Sequence, residues 1–256
     1  MISVKNKIVF ITGASSGFGE ACSILFARNG AKLILAARRK ERLDSLSSHL
    51  RSKYRTETRI LKLDVRNKGN VEKSIKNLPS SWKNIDILIN NAGLSRGLDK
   101  LHEGKIKDWD EMIDTNVKGL LYVSRAVIPL MVKRNTGHIV NIGSIAGHEV
   151  YPKGNVYCAS KHAVDAITKG MRLDLNGIDI KVTTVDPGLA ETEFSLVRFR
   201  GDKKRAKAVY EGIESLSSSD IADAVYYAVT RRKNFLVAEM ILLPVKQASA
   251  QVLTRK

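Results

Sequence analysis

Short runs of β-branched and aliphatic residues alternate along the chain with longer amphipathic segments. Continuous apolar runs are typical of strands buried on both faces, whereas a 3.6-residue period of apolar positions is typical of helices. The runs predict strands at 7–12, 33–36, 59–63, 85–89, 138–142, 180–185 and 239–245. The intervening segments predict helices at 17–29, about 39–51, 67–78, 108–134, 156–176 and 220–230.

This alternation predicts a doubly wound α/β fold, with a parallel seven-stranded sheet and helices on both faces. The pattern loosens beyond Pro187, and residues 188–219 are expected to form a lid segment with helical pieces. No linker rich in Pro, Gly or Ser and no internal repeat divides the chain. We therefore expect a single domain over residues 1–256.

Composition narrows the class of protein. Hydrophobic residues make up 43% and charged residues 27%, which excludes disordered and collagen-like chains. Two cysteines, Cys22 and Cys158, lie in apolar helical segments and cannot form a disulfide framework, which favours a reducing compartment. No segment approaches the ~20 apolar residues of a membrane span, and residues 1–7 lack the apolar region of a signal peptide. We expect a cytoplasmic protein without a membrane partner.

The chain is strongly basic, with 43 Lys and Arg against 26 Asp and Glu and a net charge of +17. Such a charge is compatible with a nucleic-acid partner. However, the basic triplets at 38–40, 203–205 and 231–233 are far apart, and aromatic residues, 6% of the chain, do not interleave with them. The pattern favours a generally basic surface, and no nucleic-acid partner is expected.

A glycine-rich loop follows the first strand and opens the first helix. It reads Thr12-Gly13-x3-Gly17-x-Gly19. Glycines at such a junction let the backbone turn sharply and approach a pyrophosphate, which binds the unpaired N–H groups of the helix N-terminus. An isolated glycine cluster is often only a tight turn, but its position at the start of a βαβ unit indicates a dinucleotide site.

The end of the second strand bears on which dinucleotide binds. An NAD site usually has an acidic residue there for the ribose 2′-hydroxyl, whereas an NADP site has arginine for the 2′-phosphate. This chain has Arg38 and Arg39 and no acid. As ordinary helix-start residues, two arginines would oppose the helix dipole. The sequence favours NADP.

Four separated features suggest catalytic chemistry: Asn90-Asn91-Ala92-Gly93 after the fourth strand, Asn116, Ser144, and Tyr157 with Lys161 on one helix face. Oxidation of an alcohol requires a proton acceptor beside the hydroxyl group. The ordinary pKa of tyrosine is about 10, and an ammonium group beside the phenol lowers it. Ser144 would hydrogen-bond the substrate oxygen, and Asn116 can hold a water that connects Lys161 to solvent. Taken singly, each residue also has an ordinary explanation. Tyr157 is then a tyrosine on a helix face, Ser144 a serine in a turn, and Asn116 a buried amide at a helix irregularity.

Together these motifs resemble the short-chain dehydrogenase/reductase family, which has a Rossmann-type fold. The resemblance extends over nearly the whole chain. It rests on the glycine loop, Asp64, Asn90 to Gly93, Asn116, Ser144, Tyr157-x3-Lys161 and Pro187-Gly188. Four further segments are similar to the NADP-dependent 3-hydroxy acid dehydrogenase branch, namely Met112 to Asn116, Arg125 to Pro129, Gly154 to Tyr157 and Thr192 to Phe199.

The resemblance assigns roles to particular residues. The catalytic roles fall on Asn116, Ser144, Tyr157 and Lys161. The cofactor roles fall on Gly13, Ser16, Gly17, Phe18, Gly19, Arg38, Arg39, Asp64, Val65, Asn91, Tyr157 and Lys161, with Pro187, Gly188 and Thr192 near the nicotinamide. No metal ion is expected. Relatives are typically tetramers, so a homotetramer is expected.

The resemblance also implies the substrate, since that branch oxidises short 3-hydroxy acids such as L-serine, L-allo-threonine and 3-hydroxyisobutyrate. A desolvated carboxylate needs a cation. The candidate cations are Arg198, Arg200 and Lys153. Ser144 and Tyr157 would bind the hydroxyl group. The lid segment equally carries apolar side chains suited to a reductase of 3-oxoacyl or other carbonyl compounds. A third alternative is a nucleic-acid-binding protein on this fold, which steep salt-dependent retention on a polynucleotide would reveal.

Overall fold

A computed structural model of the chain describes residues 2–255. The strands are β1 Ile8–Thr12, β2 Lys32–Ala37, β3 Thr58–Lys62, β4 Ile85–Asn90, β5 Gly137–Ile142, β6 Ile180–Pro187 and β7 Glu239–Leu242. The α-helices are α1 Gly17–Arg28, α2 Lys40–Tyr54, α3 Lys68–Lys76, α4 Ile106–Ile113, α5 Leu120–Lys133, α6 Asn155–Asp174, α7 Phe194–Arg198, α8 Lys203–Ala208 and α9 Ser218–Val229.

All seven described strands are parallel and form one sheet in the order β3-β2-β1-β4-β5-β6-β7. The predicted doubly wound fold is therefore confirmed. The chain builds outward from β1 to β3 and then crosses back to place β4 beside β1. Ligands of such sheets bind outside the carboxyl ends of the strands at this reversal.

Apolar layers cover both faces of the sheet. Ile11 and Leu35 pack in the layer formed with α1, α2 and α9, whereas Phe10 and Ile34 pack in the layer formed with α3, α5 and α6. Neighbouring residues of one strand thus enter opposite layers, and all four are fully buried. This burial explains why the strands read as continuous apolar runs rather than as an alternating pattern.

The segment predicted as a helix at 108–134 is helical without a break over 106–133, but the helix type changes in its middle. Helices α4 and α5 are separated by a π-helical segment, Asp114–Gly119. Within this segment, the Asn116 amide exchanges two hydrogen bonds of 2.8 Å with the backbone N–H and C=O of Leu94. These bonds fasten the wider turn to the loop after β4, and π-turns of this kind are common at functional sites.

The last strand is shorter than predicted, ending at Leu242 instead of residue 245. Pro244 lies two residues beyond it and has no N–H to offer to a sheet. In the lid segment, the helical pieces are α7 and α8. Backbone hydrogen bonds of Leu189 and Glu191 with Leu216 join the two ends of this segment.

The structure also bears on the expectations about the cysteines and about membrane-spanning helices. Cys22 and Cys158 are free and buried in the described structure. No helix within residues 2–255 combines the length and apolar character required to cross a bilayer.

A buried polar chain ties the central strands to the helices that carry the catalytic candidates. The Asn90 side chain on β4 donates to Ser124 of α5 at 3.0 Å and to Asn141 of β5 at 2.9 Å. Asn141 in turn donates to Thr168 of α6 at 2.8 Å. All four residues are buried, so each bond replaces hydration that the folded chain excludes.

Replacing Asn141 with alanine should lower the free energy of unfolding by about 2–3 kcal/mol, because it leaves a buried donor on Asn90 and a buried acceptor on Thr168 without their partner. Urea unfolding followed by circular dichroism measures this change. Asn234→Ala, at an exposed asparagine, is the control and should change the value by less than about 0.5 kcal/mol. Equal values for the two variants would contradict a stabilising role for the network.

Candidate active site

A cleft of about 290 Å³ lies along the carboxyl edge of the sheet. Most of the predicted site residues line it: Gly13, Ser16, Gly17, Phe18, Arg38, Arg39, Asp64, Val65, Asn91, Ser144, Tyr157, Lys161, Pro187, Gly188 and Thr192. Gly19, Asn116 and Arg198 are absent from this lining. The topology thus brings together residues that are up to 179 positions apart in sequence (Gly13 to Thr192).

The glycine loop has the geometry of a phosphate cradle. Gly13 has a φ of +67°, and a Cβ there would lie 2.8 Å from Nδ2 of Asn91. That same Asn91 nitrogen donates to the carbonyl of Thr12 at 2.9 Å and holds the loop against β4. Ser16 makes no side-chain capping bond to α1. The N-terminal N–H groups of α1 therefore lack a side-chain cap and can bind a phosphate.

The two arginines after β2 differ in their surroundings. Arg38 is half exposed, and its one ion pair within residues 2–255, with Glu111, is long at 3.9 Å. Arg39 donates to the hydroxyls of Ser15 and Ser16 and forms a 2.9 Å ion pair with Glu193. Both side chains reach the cleft, but Arg38 has the more available guanidinium.

Asp64 and Val65, after β3, border the same end of the cleft. Arg66 lies 2.6 Å from the Asp64 carboxylate, and its hydrogen bonds lower the pKa of that carboxyl group. Asp64 is therefore an ionised acceptor at neutral pH. The cleft has the donors and shape that a dinucleotide requires.

Tyr157 and Lys161 project from the first turns of α6 and are both buried. Nζ of Lys161 donates to the carbonyl of Ile142 at 2.9 Å and lies 6.0 Å from the centre of the Tyr157 ring. Ser144 follows β5 with extended backbone, and its Oγ accepts from the N–H of Ala146 at 3.1 Å. The end of β5 and the start of α6 thus bring a hydroxyl, a phenol and an amine together in one wall of the cleft.

Burial dominates the protonation of this group. It lowers the pKa of Lys161 to about 8, although the nearby Asp186 carboxylate opposes the change. Burial also raises the pKa of Tyr157 well above its ordinary value, while the positive charge of Arg198 and a hydrogen bond from Ser144 oppose the rise. The expected lowering of the tyrosine pKa by the lysine is therefore outweighed by desolvation in the protein alone.

Asn116 stands behind the cleft wall rather than in it. Its Nδ2 donates to the Leu94 carbonyl and to the Ser160 hydroxyl at 3.0 Å, and its Oδ1 accepts from the Leu94 N–H. Both amide protons are thus used, and only one acceptor site remains. The geometry gives the side chain a structural task, and its water-holding role stays a prediction.

The three cations predicted as candidates for binding a substrate carboxylate differ in their surroundings. The Arg198 guanidinium lies 5.3 Å from the Tyr157 ring and donates to the Tyr151 hydroxyl at 3.0 Å. Its buried Nε has no hydrogen-bond partner among the described residues. Arg200 instead pairs with Asp108, and Lys153 is exposed beside a separate, smaller cavity. Tyr157 also borders that smaller cavity, but of these three cations Arg198 is the one with a described contact to the Tyr157 ring.

Sequence reasoning missed three residues that shape the site. Tyr151 orients Arg198, and Glu193 connects the lid segment to Arg39. Asp186 accepts the Ser144 N–H at 3.1 Å. Of these three residues, Asp186 could have been identified from the sequence, because an acid at the carboxyl end of a buried strand lies at the ligand-binding edge of the sheet. Nothing in the sequence indicates the contacts of Tyr151 and Glu193, which depend on how the lid segment folds back.

Comparisons with known proteins agree with this geometry. The family model described as short chain dehydrogenase matches residues 7–202. The NADP-dependent 3-hydroxy acid dehydrogenase of Salmonella typhi is 45% identical, covering 95% of this chain and 97% of the relative. Sulfoacetaldehyde reductase 2 of Chromohalobacter salexigens is 42% identical, covering 95% and 96%. The closed form of a serine dehydrogenase complexed with NADP⁺ superposes with a TM-score of 0.92 at 43% identity, covering 97% of this chain and 99% of that chain.

The buried Lys161 should lower the stability of the protein in a pH-dependent manner. Below pH 8 the lysine is charged in both states, and charging it in the folded state costs about 3 kcal/mol, given about 1.4 kcal/mol per pH unit between 8 and its ordinary 10.5. Between pH 8 and 10.5 only the unfolded lysine keeps its proton, so this cost disappears as pH rises.

Lys161→Met should therefore be about 2–3 kcal/mol more stable than the wild type at pH 7, and this advantage should vanish near pH 10.5. Urea unfolding at a series of pH values measures it, with Lys133→Met at an exposed position of α5 as the control. A Lys161→Met protein that is less stable than wild type at pH 7 would contradict the desolvation of the lysine.

Proposed function

Because the chain belongs to the short-chain dehydrogenase family, we propose that it oxidises short 3-hydroxy acids of the serine, allo-threonine or 3-hydroxyisobutyrate type with NADP. The chain is an oxidoreductase that acts on hydroxyl groups. One observation carries the choice of substrate. The Arg198 cation lies beside Tyr157, so a carboxylate and the adjacent hydroxyl group can be bound together.

The cofactor is NADP. Its relatives among the 3-hydroxy acid dehydrogenases are NADP-dependent, and a serine dehydrogenase of the same fold has NADP⁺ bound. In this chain Arg38 and Arg39 provide cations at the end of β2, and the glycine loop with the start of α1 provides N–H donors. The oxidised cofactor held by these residues would supply an acceptor for the hydride of the carbinol carbon.

The residues of the chain handle the proton. Tyr157, as phenolate, accepts the hydroxyl proton of the substrate, and in the reverse direction the phenol returns it. Ser144 donates a hydrogen bond to the same oxygen as its charge changes. The guanidinium of Arg198 favours the phenolate and opposes the effect of burial on the Tyr157 pKa. The ammonium of Lys161, 6.0 Å from the centre of the ring, adds a second positive charge on the phenolate's side. Asn116 supports this group by holding the loop after β4.

Arg198 would bind the substrate carboxylate. A carboxylate removed from water requires charge-assisted hydrogen bonds, and the unpartnered Nε of Arg198 offers one. The relative named for sulfoacetaldehyde also acts on a small anionic compound. The alternative is a reductase of apolar carbonyl compounds. It is favoured by Phe194, whose ring contacts Tyr157 edge-on at 5.6 Å.

The proposal also includes the domain organisation, the assembly and the location of the protein. The single domain has residues 188–219 as the segment that covers the substrate, since Phe194 and Val197 reach the cleft from it. We also expect a homotetramer, for which exposed apolar residues such as Leu121, Val132 and Leu173 on α5 and α6 are suitable. The two free thiols agree with a cytoplasmic location.

The proposed chemistry is tested by initial rates of NADP reduction with serine, allo-threonine, 3-hydroxyisobutyrate and neutral alcohols. Tyr157→Phe keeps the ring and removes the proton carrier, so kcat should fall by about 10²–10⁴-fold while NADPH affinity hardly changes. A Tyr157→Phe variant with near-normal turnover would refute the role of the tyrosine, and a preference for neutral alcohols would refute the substrate class.

Replacing Arg198 with glutamine should raise KM for the preferred hydroxy acid by about one to two decades, since a charged hydrogen bond is worth about 1.5–3 kcal/mol. KM for a neutral alcohol should change much less. Arg200→Gln is the matched control, because it perturbs the same segment through its contact with Asp108. Equal effects of Arg198→Gln on charged and neutral substrates would mean that the arginine only orders the segment.

Cofactor preference should depend on Arg38. The wild type should favour NADP over NAD by about 10²-fold in kcat/KM, and Arg38→Asp should collapse this ratio by removing one charged contact and adding a repulsion. Arg39→Ala should have a smaller effect, because Arg39 is also engaged by Ser15, Ser16 and Glu193. Arg42→Ala is the exposed control. An unchanged preference in Arg38→Asp combined with Arg39→Ala would contradict this assignment.

A further inference from the structure

A carboxylate of the lid segment is bound by two arginines from a distant part of the chain. Oε2 of Glu193 lies 2.9 Å from Nη1 of Arg39, and its Oε1 lies 2.6 Å from Nη1 of Arg42. Glu193 stands at the N-cap position of α7, but its side chain does not cap that helix. Both carboxylate oxygens instead join the lid segment to the residues that follow β2.

Arg39 is a fixed partner in this contact. Its Nη2 donates to the hydroxyls of Ser15 and Ser16 at 3.1 and 2.7 Å, and its Nε donates to Ser15 at 3.2 Å. Since Nη1 is bonded to Glu193, every nitrogen of this guanidinium has a protein partner. Arg39 thus joins the glycine loop to the lid segment, whereas Arg38 keeps the more available guanidinium.

The lid segment also contacts the glycine loop beside these ion pairs. A Cβ built on Gly17 would lie 3.5 Å from Cβ of Thr192, the residue before Glu193. Gly17 begins α1, whose N–H groups would bind the pyrophosphate of the cofactor. Gly17, Thr192 and Glu193 line the same cleft. The lid segment therefore forms the wall of the cleft at the place where the pyrophosphate would bind.

The other end of α7 is held by a separate anchor. Arg96, in the loop after β4, donates to the carbonyl of Val197. The backbone N–H of Gly97 donates to the carbonyl of Arg198 at 3.1 Å. The two anchors of α7 thus belong to the loops after β2 and β4, the strands on either side of β1. Only the anchor at Glu193 is an ion pair of the lid segment's own side chain.

We propose that Glu193 is a positioning residue for the cofactor: its ion pairs with Arg39 and Arg42 hold the lid segment closed over the glycine loop, so that NADP leaves the cleft only after these pairs open. The inference does not depend on which alcohol the protein oxidises, because the contacts lie at the cofactor end of the cleft. Neither Glu193 nor Arg42 was among the cofactor residues that the family resemblance implied.

A different role for Glu193 predicts the opposite effect. A carboxylate that only competed with the 2′-phosphate of NADP for Arg39, or only repelled the anionic cofactor, would weaken cofactor binding. Removing its charge would then slow the release of NADPH. If Glu193 holds the lid segment closed, removing its charge speeds that release. The sign of the change decides between the two roles.

The rate of NADPH release measures the effect directly. Protein loaded with NADPH is mixed with excess NADP⁺, and the loss of the fluorescence of bound NADPH is followed by stopped flow. Glu193→Gln keeps the shape of the side chain and removes its charge. It should release NADPH about 3–10-fold faster than the wild type, since partly exposed ion pairs each contribute modestly. Glu193→Asp keeps the charge, and its rate should lie between the two.

Arg42→Gln tests the same contact from its other side. Arg42 is absent from the lining of the cleft, so this variant removes one ion pair without changing the cofactor site, and release should be about 2–3-fold faster. The double variant should release NADPH no faster than Glu193→Gln alone, because both changes remove the same pair. Glu191→Gln removes a charge from an exposed residue of the same segment and is the control, which should not speed release.

Two further measurements distinguish a closed segment from a direct contact with the cofactor. Without cofactor, amide hydrogen exchange in residues 194–198 should be faster in Glu193→Gln than in the wild type, because the segment opens more often, while exchange in β6 should be unchanged. In Arg42→Gln, which leaves Glu193 paired with Arg39, the release of NADH should accelerate by the same factor as that of NADPH. The preference for NADP is then unaffected.

Slower or unchanged release of NADPH from Glu193→Gln would overturn the proposal. Faster release with unchanged hydrogen exchange in residues 194–198 would also overturn it, because Glu193 would then act on the cofactor directly. Faster release together with faster exchange, at a wild-type unfolding temperature and reproduced in part by Arg42→Gln, would support it.

Discussion

Every strand of the sheet runs in the same direction, and the site depends on this constraint. Backbone hydrogen bonds between parallel neighbours align the carboxyl ends of β1, β2, β4, β5 and β6 at one edge. The chain must leave the sheet there, so unpaired backbone groups and polar side chains gather at this edge. Thr12, Arg38, Asn91, Ser144 and Asp186 all come from such strand ends.

The same edge is costly to build, because it places ionisable groups where water is excluded. Lys161 is buried with a carbonyl partner, and Asp186 is buried with one oxygen on a backbone N–H. Each group disfavours its own charged form through desolvation, and the Asp186 carboxylate in turn favours the charged form of Lys161. The catalytic wall therefore combines buried ionisable groups with the Arg198 guanidinium, which lies beside Tyr157.

The sequence could predict what depends on local pattern. The number and parallel direction of the strands followed from apolar runs that alternate with amphipathic segments. The glycine loop, Ser144, Tyr157 and Lys161 followed from residue types at fixed spacings next to those runs. The sequence offered a helix irregularity at Asn116 only as one reading of that residue, because the π-turn at 114–119 is fastened by bonds to Leu94, a residue distant in sequence. The choice between Arg198 and Arg200 likewise depended on tertiary contacts: two residues of equal charge, two positions apart, face Tyr157 and Asp108 respectively.

The central claim is that this cleft passes a hydride from the carbinol carbon of a 3-hydroxy acid to NADP. The most direct measurement uses serine deuterated at C3, or the corresponding label in a better substrate, and examines the NADPH formed by NMR spectroscopy. Deuterium in the dihydronicotinamide ring, together with a slower rate for the labelled compound, is the result that the account predicts. Unlabelled NADPH, or no NADPH with any 3-hydroxy acid, would contradict it.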